Sequence, residues 1–190
     1  MAAEVATSMI HRRFTVDDYH HMAEVGILNE DDRVELIDGE IVEMSPAGSL
    51  HAGCIREFVQ IFEVHVGDDA IVDSQNPLHI GEYTEPEPDV AVLKPRDDKY
   101  KRSHPTAKDV ILLVEVADSS VARDRLRKLP LYAKVGIAEC WLADLPGHAI
   151  ERHTDPRDGV YNTSVRVGRG GLLESTVLPG LVIKVDDILD

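Results

Sequence analysis

The run Val110-Ile-Leu-Leu-Val-Glu-Val-Ala117 constrains this chain more than any other stretch. Eight largely apolar, β-branched residues suit a strand and are short for a buried helix. A strand that is apolar on both sides is covered on both faces, so it belongs in the middle of a sheet. Glu115 interrupts the run. A carboxylate buried there costs several kcal/mol unless a cation, a metal or hydrogen-bond donors meet it. Alternation places Glu115 on the face of Leu113 and Ala117, away from Val114 and Val116. Two readings are open: a structural ion pair or an edge strand with one wet face, or else a metal ligand or catalytic acid.

Around this strand, helices and strands alternate, with hairpins toward the ends. Thr15-Val16-Asp17-Asp18 predicts a capped helix over about 16–25. Asp38-Gly39 between two β-prone halves predicts a hairpin over 34–44, ended by Ser45-Pro46-Ala47-Gly48-Ser49. Ile55, Phe58, Val59, Phe62 and Val66 recur at helical spacing, giving a helix of about 50–66. Short strands are expected at 70–73, 78–80 and, after Glu85-Pro86-Glu87-Pro88, 89–93. Residues 94–108 form a charged loop. A helix capped by Ser119 or Ser120 runs to about 133, kinked or restarted near 126–129 by Pro130. Further strands are expected at 138–143, 148–153, 160–167 and 172–178. The pattern predicts an α/β fold in one domain, 1–190: a mixed β-sheet flanked by helices, with an N-terminal hairpin and C-terminal β-strands.

Composition removes several classes. With 43% apolar and 29% charged residues the chain is globular, and its 190 residues bury about 70% of their unfolded surface without disulfides. No apolar run approaches the ~18–20 residues of a membrane span, so no membrane partner is expected. MAAEVATSMIHRR has no basic segment before an apolar core, so no leader is expected and the chain reads as cytoplasmic. Cys54 and Cys140 read as reduced, buried thiols. The net charge of −15 argues against indiscriminate nucleic-acid binding. The charge is uneven, however. Residues 94–128 hold ten Lys/Arg against six Asp/Glu, whereas 17–43 hold ten acids against Arg33 alone. The basic zone either meets a polyanion locally or is a solvated charged loop.

Four positions join Glu115 as candidates. Asp89 starts a strand directly after Pro88, and carboxylates on neighbouring strands can converge on one hard cation. Lys128 follows the central strand on a helix and shares a face with Asp124, as a surface pair or as a site lysine with Asp124 at the rim. Glu35 lies on the hairpin opposite in face to Val34 and Leu36, toward solvent or a site. His51 opens the following helix, within reach of the hairpin loop or as a histidine of the capping region. The nine histidines form no zinc pattern, and no phosphate loop or Gly-x-Ser-x-Gly is present.

In order, Glu35-Leu-Ile-Asp-Gly-Glu40, Ser45-Pro46 with His51, Pro88-Asp89-Val-Ala-Val92, Leu113-Val-Glu-Val116, Asp124, Lys128-Leu-Pro-Leu-Tyr132-Ala and Gly136-Ile-Ala-Glu-Cys-Trp141 resemble the Uma-two family, restriction-endonuclease-like proteins long classed as a domain of unknown function. The resemblance spans about 10–185 and points to the PD-(D/E)xK nuclease superfamily. It implies a three-layer restriction-endonuclease-like core and Mg²⁺- or Mn²⁺-dependent hydrolysis of phosphodiesters; the chain then reads as DNA-directed and, because duplex cleavage cuts two strands, as a homodimer. It assigns Asp89 and Glu115 as metal ligands and Glu35 as the acid of the N-terminal motif. It also implies that His51 and Asp124 are accessory, and that Lys99, Lys101, Arg102, Arg123 and Arg127 contact nucleic acid around the site. One departure matters. The superfamily places lysine two residues after the glutamate, where this chain has Ala117; the resemblance moves that role to Lys128. The alternative is a catalytically decayed nuclease fold acting as a binding or structural module.

Overall fold

A computed structural model describes residues 11–29, 31–44 and 48–190. Ser45, Pro46 and Ala47 of the expected break, and most of the segment read for a leader, lie outside them. The chain divides into two compact units, residues 1–44 with 81–85 and residues 45–80 with 86–190.

The first unit holds helix α1 (Val16–Glu24) and the hairpin of β1 (Val34–Ile37) and β2 (Glu40–Glu43). Thr15 caps α1: its hydroxyl accepts the Asp18 N–H at 3.0 Å, and the Asp18 carboxylate accepts the Thr15 N–H at 2.9 Å. The hairpin turns on Asp38 and Gly39, with φ of 52° and 81°. The tight turn needs positive φ at both, which the Asp-Gly pair supplies.

The second unit is built on six strands: β3 (Ile71–Asp73), β4 (Val90–Leu93), β5 (Val110–Ala117), β6 (Glu139–Asp144), β7 (Ala149–Arg157) and β8 (Val160–Gly168). They lie side by side in chain order. The β5–β6 pair is parallel and the other four pairings are antiparallel, so the sheet is mixed. The apolar run is β5, third across the sheet and buried along its length apart from half-buried Ile111. Helix α2 (Ser49–Val66) covers the face of Val90, Val114, Val116 and Trp141, with Phe62 edge-on to Trp141 at 5.7 Å. The other face, with Leu113, Ala117, Cys140 and Leu142, is covered through Leu129 and Tyr132. These belong to one helical segment in three parts: α3 (Val121–Arg123), a π-helical stretch over 124–128, and α4 (Leu129–Lys134). The result is helix, sheet and helix in three layers.

Pro130 explains the three parts. It has no N–H to give and its ring crowds the carbonyl four residues back. The turn widens, and the Leu129 N–H reaches five residues back to the Asp124 carbonyl.

Three expectations change. Residues 78–80 form no strand; the Leu78 N–H donates to Pro86 and the His79 N–H to Pro105, splitting the segment between two loops. Ser120 sits at the cap position, but its hydroxyl donates to Asp124 at 2.5 Å and caps no N–H. The strand at 172–178 stops at Glu174, where the Ser175 hydroxyl accepts the N–H groups of Val177 and Leu178 in a turn. That short strand, β9 (Leu172–Glu174), pairs with an unanticipated β10 (Val182–Lys184), followed by α5 (Val185–Leu189). Leu181, Ile183, Val185 and Ile188 pack this end into the α2 side of the core. Cys54 and Cys140 are free and buried.

Candidate active site

β5 carries Glu115 opposite Leu142 of β6, at 2% exposure. Its carboxylate is not bare. Oε2 accepts from Lys128 Nζ at 3.3 Å and Oε1 from the Tyr132 hydroxyl at 2.5 Å. Lys128 and Tyr132 are four residues apart and share one helical face, which the 124–134 segment turns onto the sheet. Both are buried, so the ion pair is shielded from water. Asp124 lies at 3% exposure rather than at a rim, with the Ser120 hydroxyl on Oδ2 and Arg123 Nε 3.8 Å from Oδ1. The wide π turn keeps Asp124 and Lys128 inward while residues 125–127 face out. Burial, with the Glu115 charge beside it, pushes the Cys140 thiol far up, so it stays protonated.

Asp89 sits in the bend just before β4. Extending the Val90–Val114 register by one residue brings Asp89 opposite Glu115. Its Oδ2 accepts the Val116 N–H at 2.8 Å, taking the place of a strand carbonyl, and lies 3.4 Å from His51 Nε2. His51 comes from α2. The two carboxylates therefore occupy the same end of the β4–β5 pair, with partners from opposite layers: His51 on one side, Lys128 and Tyr132 on the other. Among the described residues no group of three His, Cys, Asp or Glu side chains is placed to hold a metal. The donor set still suits magnesium in kind. That ion takes hard oxygens and commonly uses only one or two carboxylates, with water and phosphate oxygens completing its shell.

The remaining sequence candidates are Glu35, the cations of the loop after β4, and the two arginines of the Lys128 segment. Glu35 belongs to the first unit, on β1 opposite Val42, at 1% exposure. Lys99, Lys101 and Arg102 are exposed on the loop after β4. That loop leaves the sheet where Leu93 pairs with Val110, the far end of β5 from Glu115. Five strand residues separate the two ends, roughly 17 Å. These three cations therefore do not surround Glu115, because the antiparallel β4 carries the chain away from it. Arg127 is exposed and Arg123 half-buried beside Asp124.

Sequence reasoning did not single out Tyr132 as a partner of Glu115, although its spacing from Lys128 marks the same face. It also missed a second acidic cluster. Glu151 of β7 and Asp144 of β6 share two guanidiniums. Arg125 Nη2 lies 2.9 Å from Glu151 and 3.6 Å from Asp144, and Arg166 Nη1 lies 2.5 and 2.9 Å from the same two acids. Burial alone raises the Glu151 carboxyl, but the hydrogen bonds from Arg125 and Arg166 outweigh it and hold it below its ordinary value. Asp144 is likewise held low against its burial, by Arg166 and the Gly147 N–H. Asp144 ends β6, Glu151 and Arg166 lie on β7 and β8, and Arg125 on the helical segment, so single charges far apart in the chain give no sequence signal.

A family model described as "Putative restriction endonuclease", Uma2, matches residues 16–186. No curated protein matches the chain. Among solved structures, a protein from Anabaena variabilis ATCC 29413, titled a putative nuclease belonging to DUF820, superposes with a TM-score of 0.71 at 16% identity, over 93% of this chain and 97% of that one. At that identity the likeness concerns the fold. No helix among the described residues is long and apolar enough to cross a membrane.

Proposed function

The chain belongs to the Uma2 family, and from that membership and the Glu115 cluster we propose that it is a divalent-metal-dependent endonuclease acting on DNA, a cytoplasmic homodimer. The observation that carries the reading is the buried Glu115–Lys128 pair, set where Asp89 enters the same strand end. Asp89, Glu115 and the Val116 carbonyl would hold Mg²⁺ or Mn²⁺. Such an ion supplies Lewis-acid polarisation of a phosphoryl oxygen and a water of lowered pKa.

The protein's own groups have separable tasks. The Tyr132 hydroxyl fixes the orientation of Glu115 through Oε1. The Lys128 amine, delivered from the helical layer, stabilises negative charge developing on the phosphoryl group. Its long stem lets the helix do what a lysine at position 117 does from the strand. His51 steadies Asp89, and Asp124, buried one turn before Lys128, is the accessory acid of the reading. Glu35 is the further acid of the reading. Arg123 and Arg127, on the segment bearing Lys128, are the phosphate contacts nearest the chemistry. Two copies related by a two-fold suit cleavage of two antiparallel strands.

A plasmid-cleavage assay with Mg²⁺ and with Mn²⁺, comparing wild type with Glu115→Gln and Asp89→Asn, tests this. Metal-dependent nicking or linearisation lost in both variants is expected; no cleavage by the wild type with either metal defeats it. The second reading, a nuclease fold retained as a binding or structural module, is favoured by Ala117 and by the protein partners already on both Glu115 oxygens. It predicts a folded wild type that cleaves nothing.

A further inference from the structure

The loop between β4 and β5 is braced as a connector need not be. The Arg96 guanidinium lies 3.8 Å over the Tyr100 ring, with Nε on Asp98 at 2.5 Å and Nη2 on the Ser103 carbonyl at 2.7 Å. The Tyr100 hydroxyl donates to the Lys94 carbonyl at 2.8 Å, and Lys94 Nζ donates to the Lys108 carbonyl at 2.6 Å. Lys99 and Tyr100 both take left-handed conformations, with φ of 49° and 59°. Residues other than Gly, Asn and Asp rarely do so, and here a lysine and a tyrosine do so in succession.

The bracing divides the loop's charges. Arg96 and Lys94 are spent on the loop itself, and Asp98 is spent on Arg96. Lys99, Lys101 and Arg102 project outward, with Asp97 the exposed acid beside them. Three displayed cations on a preformed turn, in a chain of net charge −15, form a local anion-binding surface. Several outward cations on one turn match the repeating charges of a phosphate backbone rather than a single small anion.

We propose that residues 95–104 form a docking arm for the phosphate backbone of double-stranded nucleic acid, separate from the Glu115 cluster and supplying affinity rather than chemistry. The choice of a nucleic acid rests on the nuclease reading above; the separation rests on the topology. Val110, beside the loop, is five strand residues from Glu115. That distance of roughly 17 Å is about five base-pair rises along a duplex.

The test is fluorescence anisotropy with a labelled duplex of about thirty base pairs, titrated across a salt series without divalent metal. The proteins are wild type, the triple variant Lys99→Ala/Lys101→Ala/Arg102→Ala and the charge-keeping Lys99→Arg/Lys101→Arg/Arg102→Lys. The alanine variant should bind about tenfold or more weakly, with the slope of log affinity against log salt reduced in magnitude by about 2–3. The charge-keeping variant should bind as wild type does, and saturating duplex should restore the alanine variant's cleavage rate. Equal affinity and slope in wild type and alanine variant overturn the arm, as does wild type that fails to bind duplex at low salt. If the arm fails while wild type still cleaves plasmid with Mg²⁺ or Mn²⁺, the nuclease reading survives. If duplex binding depends on the arm while no metal supports cleavage, the arm stands and the nuclease reading falls.

Discussion

Two buried carboxylate clusters draw on the same five-residue π-helical stretch, and they are built differently. Glu115 takes one ammonium and one hydroxyl, from Lys128 and Tyr132, and the side chains of the ion pair are 3% and 6% exposed. Glu151 and Asp144 take two guanidiniums, from Arg125 and Arg166, whose side chains are 41% and 44% exposed. The guanidinium is a fixed fork, always charged, that satisfies two acids at once and can leave its outer edge in water. The ammonium is a point charge on a flexible stem, able to change partners. One arrangement suits permanent structure; the other suits a site where a carboxylate and a cation must also meet a substrate. Under the proposed function, an exchangeable partner is what separates a site acid from a structural one.

Swapping the two glutamates should break the comparison most sharply. Glu115→Gln should abolish metal-dependent cleavage, a loss of roughly 10³-fold or more, while Glu151→Gln should stay within about tenfold of wild type in the plasmid assay. Carboxylate repulsion with Asp89 would have made removal of Glu115 neutral or stabilising. Against that repulsion, loss of Glu115 leaves the buried Lys128 without its carboxylate and should cost about 3–5 kcal/mol in urea unfolding. A fully active Glu115→Gln protein would place both clusters in the structural class.

Lys128→Ala should lower the cleavage rate by roughly 10²–10³, the scale of one lost electrostatic stabiliser. Adding Ala117→Lys in that background should return part of the rate, because position 117 shares the face of Glu115. Single-turnover rates with saturating DNA give both values, and unaltered activity in Lys128→Ala would remove lysine from the mechanism.

On the other cluster, Arg166→Ala should cost about 1–3 kcal/mol, read from the urea midpoint, with cleavage by the surviving fold little changed. Half of that side chain is in water, which keeps the cost below that of a fully buried ion. A tenfold fall in cleavage at equal folded fraction would instead join the two clusters into one machine.

The smallest effect is on acid stability. Glu151 and Asp144 have folded values below their ordinary ones. Their contribution is complete above the unfolded carboxylate range, about pH 4, and is lost as the pH falls through the depressed folded values. Wild type should therefore lose stability across that acid window more steeply than Arg166→Ala. Parallel acid-unfolding curves, followed by circular dichroism, would show that the arginines do not hold these carboxyls low.

The secondary structure was legible wherever local chemistry agreed with the global fold. The Thr15 capping box, the Asp38-Gly39 turn, the Phe58–Phe62 helix and β5 all lie where the residues alone place them. The errors fall where a segment's hydrogen bonds go to distant loops, as at Leu78 and His79, or where a polar side chain ends an apolar run, as Ser175 does. Most of the candidate site was visible as anomalies: an acid in an apolar strand, an acid after a proline, a lysine on the next helix. Tyr132 was visible only as a spacing, and Arg125 and Arg166 were visible only as surface charge.

By itself, the sequence determined that a central strand exists, that Glu115 is inside it, and that Lys128 follows on a helix interrupted by Pro130. Period and proline stereochemistry are local properties, and they survive without tertiary context. Only the tertiary structure decided which partner each charge has. It gave Glu115 to Lys128 and Tyr132, and Asp89 to the Val116 N–H and His51. It sent the basic loop to the opposite end of the strand and tied Glu151 to two arginines far along the chain. Those choices depend on strand order and register, which bring together residues separated by tens of positions, and no local pattern encodes that distance.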